Sequence, residues 1–85
     1  MTELESSIVN YFRAENPQLL RSHDINLDSR FREDIGLDSL DLVDLRFKVQ
    51  MIWGIKVPME DFRKMTCIND ITEYITAALS AQKEN

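Results

Sequence analysis

The chain has 85 residues, 44% of them hydrophobic and 29% charged, with a formal net charge of −5. That length bounds it to one small domain and excludes a multidomain enzyme with a deep substrate cleft. The composition excludes wholesale disorder, and the acidic balance disfavours nucleic acid and anionic membranes while favouring partners that carry basic patches. Cys67 is the only cysteine, which leaves no intramolecular disulfide framework and no Cys-rich zinc site. The opening Met1-Thr2-Glu3-Leu4-Glu5 is acidic and lacks the basic-then-apolar layout of a signal peptide. No apolar run approaches the roughly 20 residues of a bilayer span. A soluble, cytoplasmic protein without membrane insertion is expected.

The first helical pattern sets Leu4, Ile8, Tyr11 and Phe12 on one stripe with Val9 beside it, over about residues 2–15. Thr2 is its expected cap, and Glu3 and Glu5 suit the positive end of the helix dipole. Pro17 ends it and pushes Asn16 out of α geometry. Residues 16–37 then show no helical period. A structureless stretch of that length inside a small domain is unusual, and is normally functional. Leu19, Leu20, Ile25, Leu27, Phe31 and Ile35 recur along it, so it reads as an ordered loop pinned to the helices by those side chains. His23 in this loop has no Ser, Cys or second His placed to make a site, and reads as a surface residue.

A second helix is expected over about residues 39–53, capped by Asp38 and stopped by Gly54, with Val57-Pro58 forbidding continuation. It carries two apolar stripes. Leu42, Leu45, Val49, Ile52 and Trp53 form the expected core face. Leu40, Val43, Phe47 and Met51 form another that begins beside Ser39. After Pro58, Met59 to Lys64 allow one or two helical turns, with Phe62 and Met65 facing inward. Ile68, Ile71, Ile75, Ala78 and Leu79 then recur at spacings of three and four, giving a last helix over about 67–81 with Thr66 as its cap. Cys67 reads as a part-buried structural thiol, and Gln82 to Asn85 as a polar tail that frays. The whole is an all-α fold, a small four-helix bundle with a long first loop and a short third helix, in a single domain over residues 1–85.

The chemistry concentrates in Phe31-Arg32-Glu33-Asp34-Ile35-Gly36-Leu37-Asp38-Ser39-Leu40-Asp41. Gly36 allows a tight bend, Asp38 caps the helix, and Ser39 falls in the first turn with its hydroxyl exposed beside free backbone N–H groups. A helix N-terminus of this kind suits a phosphate, with Asp38 and Asp41 as the opposing charges. Glu33, Asp34, Asp38, Asp41 and Asp44 lack calcium-loop spacing, so no metal is expected and they read as a negative face for docking.

Gly36-Leu37-Asp38-Ser39-Leu40-Asp41 resembles the phosphopantetheine attachment motif of the acyl carrier protein family. Phe31 and Asp34 match that family's pre-motif Phe and Asp. Trp53-Gly54-Ile55-Lys56-Val57-Pro58 resembles the stretch that ends its second helix, and Ile68 to Ile75 its last helix, including Tyr74-Ile75. The resemblance implies a covalent carrier rather than an enzyme, with no catalytic residue of its own. Ser39 would receive 4′-phosphopantetheine from coenzyme A, and the thiol of that arm would hold acyl groups as thioesters. The implied partners are a phosphopantetheinyl transferase and acyl-transferring, condensing or ligating enzymes, met by a monomer through Asp38, Leu40, Asp41, Val43, Asp44 and Phe47. An aminoacyl carrier loaded by an adenylating ligase and an unmodified helical docking subunit remain as alternatives. The chain departs from the family's acidic second helix. Arg46 and Lys48 offset Asp41 and Asp44, which implies dedicated partners beyond the ordinary fatty-acid enzymes. Asp38, where peptidyl carriers commonly have His, weighs against nonribosomal peptide synthesis. Fatty-acid, polyketide and specialised acyl cargo stay open.

Overall fold

A computed structural model describes residues 2–17 and 24–83. It contains four helices: α1 (Glu3–Glu15), α2 (Ser39–Trp53), α3 (Met59–Phe62) and α4 (Ile68–Lys83). Among the described residues the only β-type pairing is an isolated bridge between Arg30 and Cys67. Leu19, Leu20 and His23 lie outside the described residues.

Local chemistry sets the helix ends. The Thr2 hydroxyl accepts from the Glu5 N–H at 3.1 Å while the Glu5 carboxylate accepts from the Thr2 N–H at 2.6 Å, so α1 begins in a reciprocal capping box. The Thr2 N–H, and after it the Thr2 side chain, hold the Glu5 carboxyl below its ordinary range. Asn16 leaves α geometry ahead of Pro17 and is buried, its side-chain amide donating to the Phe12 carbonyl at 2.8 Å. α2 ends at Gly54, whose φ of 64° is a left-handed cap that costs a side chain most and glycine least. Pro58 opens α3, and its carbonyl accepts from the N–H groups of Asp61 and Phe62. α3 stops at Phe62 rather than running to residue 64, because Lys64 and Met65 bond three residues back as turns.

α4 starts at Ile68, one residue later than expected, and Thr66 is not its cap. Asp70 takes that role from inside the first turn. Its carboxylate accepts from the Thr66 N–H at 2.9 Å, the Thr66 hydroxyl at 3.2 Å and the Cys67 N–H at 3.4 Å. The C-terminal end also departs from expectation. The helix continues through Lys83, and the Gln82 amide donates to the Gly54 carbonyl at 3.1 Å, tying α4 back to the end of α2.

The core is built from one stripe of each long helix. Ile8, Val9 and Phe12 of α1 pack with Ile68, Ile71 and Ile75 of α4, and Leu45 and Val49 of α2 close the third side. The long first connection is pinned as expected at its described end, where Ile25, Phe31 and Ile35 are buried and Leu27 is partly so. Arg13 of α1 also holds it, through two donors to the Ile25 carbonyl at 3.1 and 2.8 Å. Its last residues are joined to the start of α4 by backbone bonds: Phe31 N–H to Thr66 O, Ile68 N–H to Ser29 O and Asn69 N–H to Leu27 O.

Ile52 corrects the reading of α2. It was expected on the core face, yet it is 53% exposed. At about 100° per residue the buried arc is centred near Leu42, Val49 and Trp53, and Ile52 lies at its edge in the last turn. The second stripe is the exposed one: Leu40, Val43, Phe47 and Met51 all face solvent, Leu40 at 80%.

Candidate functional site

Ser39 occupies the first position of α2. It is presented by the residues before it. Phe31 is buried and stacks between Phe12 of α1 (ring centroids 5.8 Å apart) and Phe62 of α3 (6.5 Å). The Leu37 N–H donates back to the Phe31 carbonyl at 2.9 Å, closing the bend, and Gly36 sits at the apex with φ 83°. Asp34 steadies the same turn, accepting from the Arg30 N–H at 2.8 Å and its guanidinium at 3.3 Å. Those bonds, the backbone one first, hold the Asp34 carboxyl below its usual range.

Asp38 caps α2 as expected, in a capping box built of two aspartates. Its carboxylate accepts from the Asp41 N–H at 2.9 Å, and the Asp41 carboxylate accepts from the Asp38 N–H at 3.0 Å. Of the first helical N–H groups, which lack intrahelical acceptors, that of Asp41 is thereby taken, while those of Ser39 and Leu40 are not. Ser39 itself is exposed. Its hydroxyl accepts from the Arg32 guanidinium at 3.4 Å.

Arg32 was not singled out from the sequence. It is seven residues from Ser39, and only the bend at Gly36 brings the two together; no periodicity signals it. The cleft beside Ser39 was equally unread. It has a volume of about 510 Å³ and is lined chiefly by Phe31, Leu42, Val43, Met59 and Phe62. Two helices, α2 and α3, and the connections around Phe31 and Arg63 meet there, so its walls are scattered along the chain.

The acids expected as a docking face are largely engaged within the chain. Asp38 and Asp41 bond each other's backbone, Asp34 bonds Arg30, and Asp44 pairs with Lys48 at 3.1 Å. What faces solvent on this side of α2 without such ties is the apolar row Leu40, Val43 and Phe47.

Arg46 and Lys48 are more than surface charges. Arg46 donates through Nε to the Val57 carbonyl, and Gln50 accepts from the Val57 N–H at 2.8 Å. Both backbone groups of Val57 are thus held by side chains one turn apart on α2, which seats the buried Ile55 and Val57. Lys48 bridges Asp44 and Glu15 of α1, the latter at 3.2 Å, and these carboxylates hold its ammonium charge to higher pH than usual, Asp44 foremost.

The phosphopantetheine attachment-site family matches residues 18–75, and the chain belongs to that family. Its relatives include the acyl carrier protein of Rickettsia bellii (strain RML369-C), 38% identical over 52 residues, an alignment covering 61% of this chain and 60% of the relative. The acyl carrier protein of Rickettsia canadensis (strain McKiel) is 39% identical over 51 residues, covering 60% of this chain and 59% of the relative. The chain spans about 60% of the length of the curated relatives it matches. The residues around Ser39 fit the family's cofactor. An exposed hydroxyl offers the point of attachment, a neighbouring guanidinium and two N–H groups at a helix start are donors suited to a phosphodiester, and the apolar cleft adjoins them.

Proposed function

We propose that the chain is an acyl carrier protein and that Ser39 carries its 4′-phosphopantetheine. The observation that carries this reading is the exposed Ser39 hydroxyl at the first position of a doubly capped helix, inside the region matched to the attachment-site family. When bound, the arm supplies a thiol that holds acyl groups as thioesters. The protein supplies the anchor, a docking surface and shelter. Asp38 and Asp41 fix the helix start so that Ser39 is presented in one orientation to the transferase. The cleft between α2, α3 and the Phe31 loop lets an attached chain leave water, each buried CH₂ contributing about 0.8 kcal/mol.

The docking surface is assigned to Leu40, Val43 and Phe47, flanked by Asp38, Asp41 and Asp44. An exposed apolar row beside the point of attachment fits brief contacts with several enzymes, since a small interface releases readily. The engaged acids and the balancing Arg46 and Lys48 favour partners that read this row over partners that read a strongly acidic helix. That supports a carrier serving dedicated acyl-handling enzymes. Among the described residues no helix is long and apolar enough to cross a membrane.

Co-expression with a phosphopantetheinyl transferase, followed by intact mass and peptide mapping, tests the assignment. Wild type should gain one phosphopantetheine on the peptide containing Ser39. Ser39→Ala should gain none and should melt as wild type does, because its hydroxyl bonds nothing in the core. Retention of the added mass in Ser39→Ala, or its mapping to another serine, would overturn the assignment.

A further inference from the structure

The surroundings of Ser39 hold more positive charge than an acidic protein of net charge −5 leads one to expect. Two arginines, Arg32 and Arg63, line the cleft that contains Ser39, against a single acid, Glu33. Both are exposed, and neither forms an ion pair among the described residues. The chain's other carboxylates near this end of α2 are bound elsewhere, Asp38 and Asp41 in the capping box and Asp34 to Arg30. Arg32 differs from Arg63 in one respect: its Nη2 lies 3.4 Å from Ser39 Oγ, the atom through which the arm would be joined.

A hydroxyl is a weak reason to hold a guanidinium. At 3.4 Å and in solvent, that contact is long and neutral on one side. A phosphodiester on Ser39 Oγ would place a full negative charge and two non-bridging oxygens within the guanidinium's reach. Guanidinium–phosphate pairs are short, charge-assisted and often bidentate. We infer that Arg32 is a positioning residue for the arm, pairing with the phosphodiester once Ser39 is modified and restricting the direction in which the arm leaves the helix. The inference rests on the assignment of Ser39 as the attachment site. It gives Arg32 a role that no other contact explains, and it makes this carrier's arm more restrained than one leaving a helix N-terminus flanked only by carboxylates.

The test uses the full chain in its apo and holo forms, with intact mass establishing that the arm is present. The readouts are the Arg32 Nε–Hε resonance and the ³¹P resonance of the phosphodiester. In wild type the Arg32 signal should move on conversion from apo to holo, and both signals should relax toward unpaired values as salt rises from about 0.05 to 0.5 M, since an exposed pair is screened. Arg32→Ala should shift the ³¹P resonance toward that of a free phosphodiester, the methyl ester of 4′-phosphopantetheine. Arg32→Lys should retain part of the effect, and Arg63→Ala, which removes the same charge without the Ser39 contact, should retain nearly all of it. An Arg32 signal unmoved between apo and holo wild type overturns the inference without any substitution. Equal ³¹P shifts in Arg32→Ala and Arg63→Ala also overturn it, showing a general field and no pairing. Failure of wild type to gain mass overturns the carrier reading itself, and the role of Arg32 falls with it.

Discussion

Aspartate recurs at the decisive points of this chain, and each copy is used for its short reach to backbone N–H groups. Asp38 could be placed from the sequence because a cap precedes an apolar-periodic run and is followed three residues later by an acid. Asp70 could not, because Thr66 stood where a cap belongs and only the folded turn shows that the threonine donates to the aspartate. The Thr66 N–H, and after it that of Cys67, hold the Asp70 carboxyl below the usual carboxylate range. A carboxyl whose folded pKa lies below its unfolded value stabilises the fold above the unfolded value and loses that contribution as pH falls through the folded one. Acidification from about pH 5 downward should therefore unfold wild type progressively. Asp70→Ala should cost about 1 kcal/mol near neutral pH, the usual size of a lost cap, and its stability should fall less steeply in acid. Some acid slope will remain, because Glu5 and Asp34 are held down in the same way. Urea titrations of both proteins between neutral pH and about pH 3 provide the check, and parallel curves would show that Asp70 contributes no linkage.

Among the elements, α2 is the one whose sequence is hardest to read, because it is apolar on two sides and polar residues on the remainder do structural service. Its start and stop were legible from Asp38 and Gly54. Its core face was legible for Leu45 and Val49 and misread for Ile52, since a stripe drawn at a fixed angle does not show where the neighbouring helices end. Arg46 and Lys48 were read as charges that offset Asp41 and Asp44, and the contacts give them structural partners as well. Arg46→Glu removes the donor to the Val57 carbonyl and should cost about 1–3 kcal/mol, the penalty of leaving such a group unpaired. Lys48→Glu brings a third carboxylate against Glu15 and Asp44. Its cost should be smaller and should shrink in high salt, as expected for an exposed pair. Denaturant midpoints at two salt concentrations separate the two effects. A wild-type midpoint in either variant would return that residue to the surface.

At the level of the molecule, a bundle this small has one core, and each long helix contributes a few side chains to it. The periodic residues of α1 and α4 announced themselves because each helix has a single apolar face. The aromatic column Phe12–Phe31–Phe62 did not, because its members come from a helix, a loop and a short third helix, and nothing in the spacing joins them. Leu45→Ala should cost about 2–5 kcal/mol, a large part of the roughly 5–15 kcal/mol that a domain possesses. Ile52→Ala, on the same helix but half in water, should stay within about 1 kcal/mol. Equal losses in thermal melts of the two would mean that the packing of α2 is rotated from the arrangement described.

The seam of backbone bonds between residues 27–31 and 66–69 also bears on the order in which the protein is made. A ribosome delivers Ser39 well before it delivers Thr66, Ile68 and Asn69. Until those arrive, the Phe31 loop has no edge to join, so a nascent chain carries the Ser39 segment without the backbone bonds that fix its shape. On the role proposed for Ser39, recognition that depends on shape would wait until residues 66–69 have emerged, and a half-made chain would go unloaded.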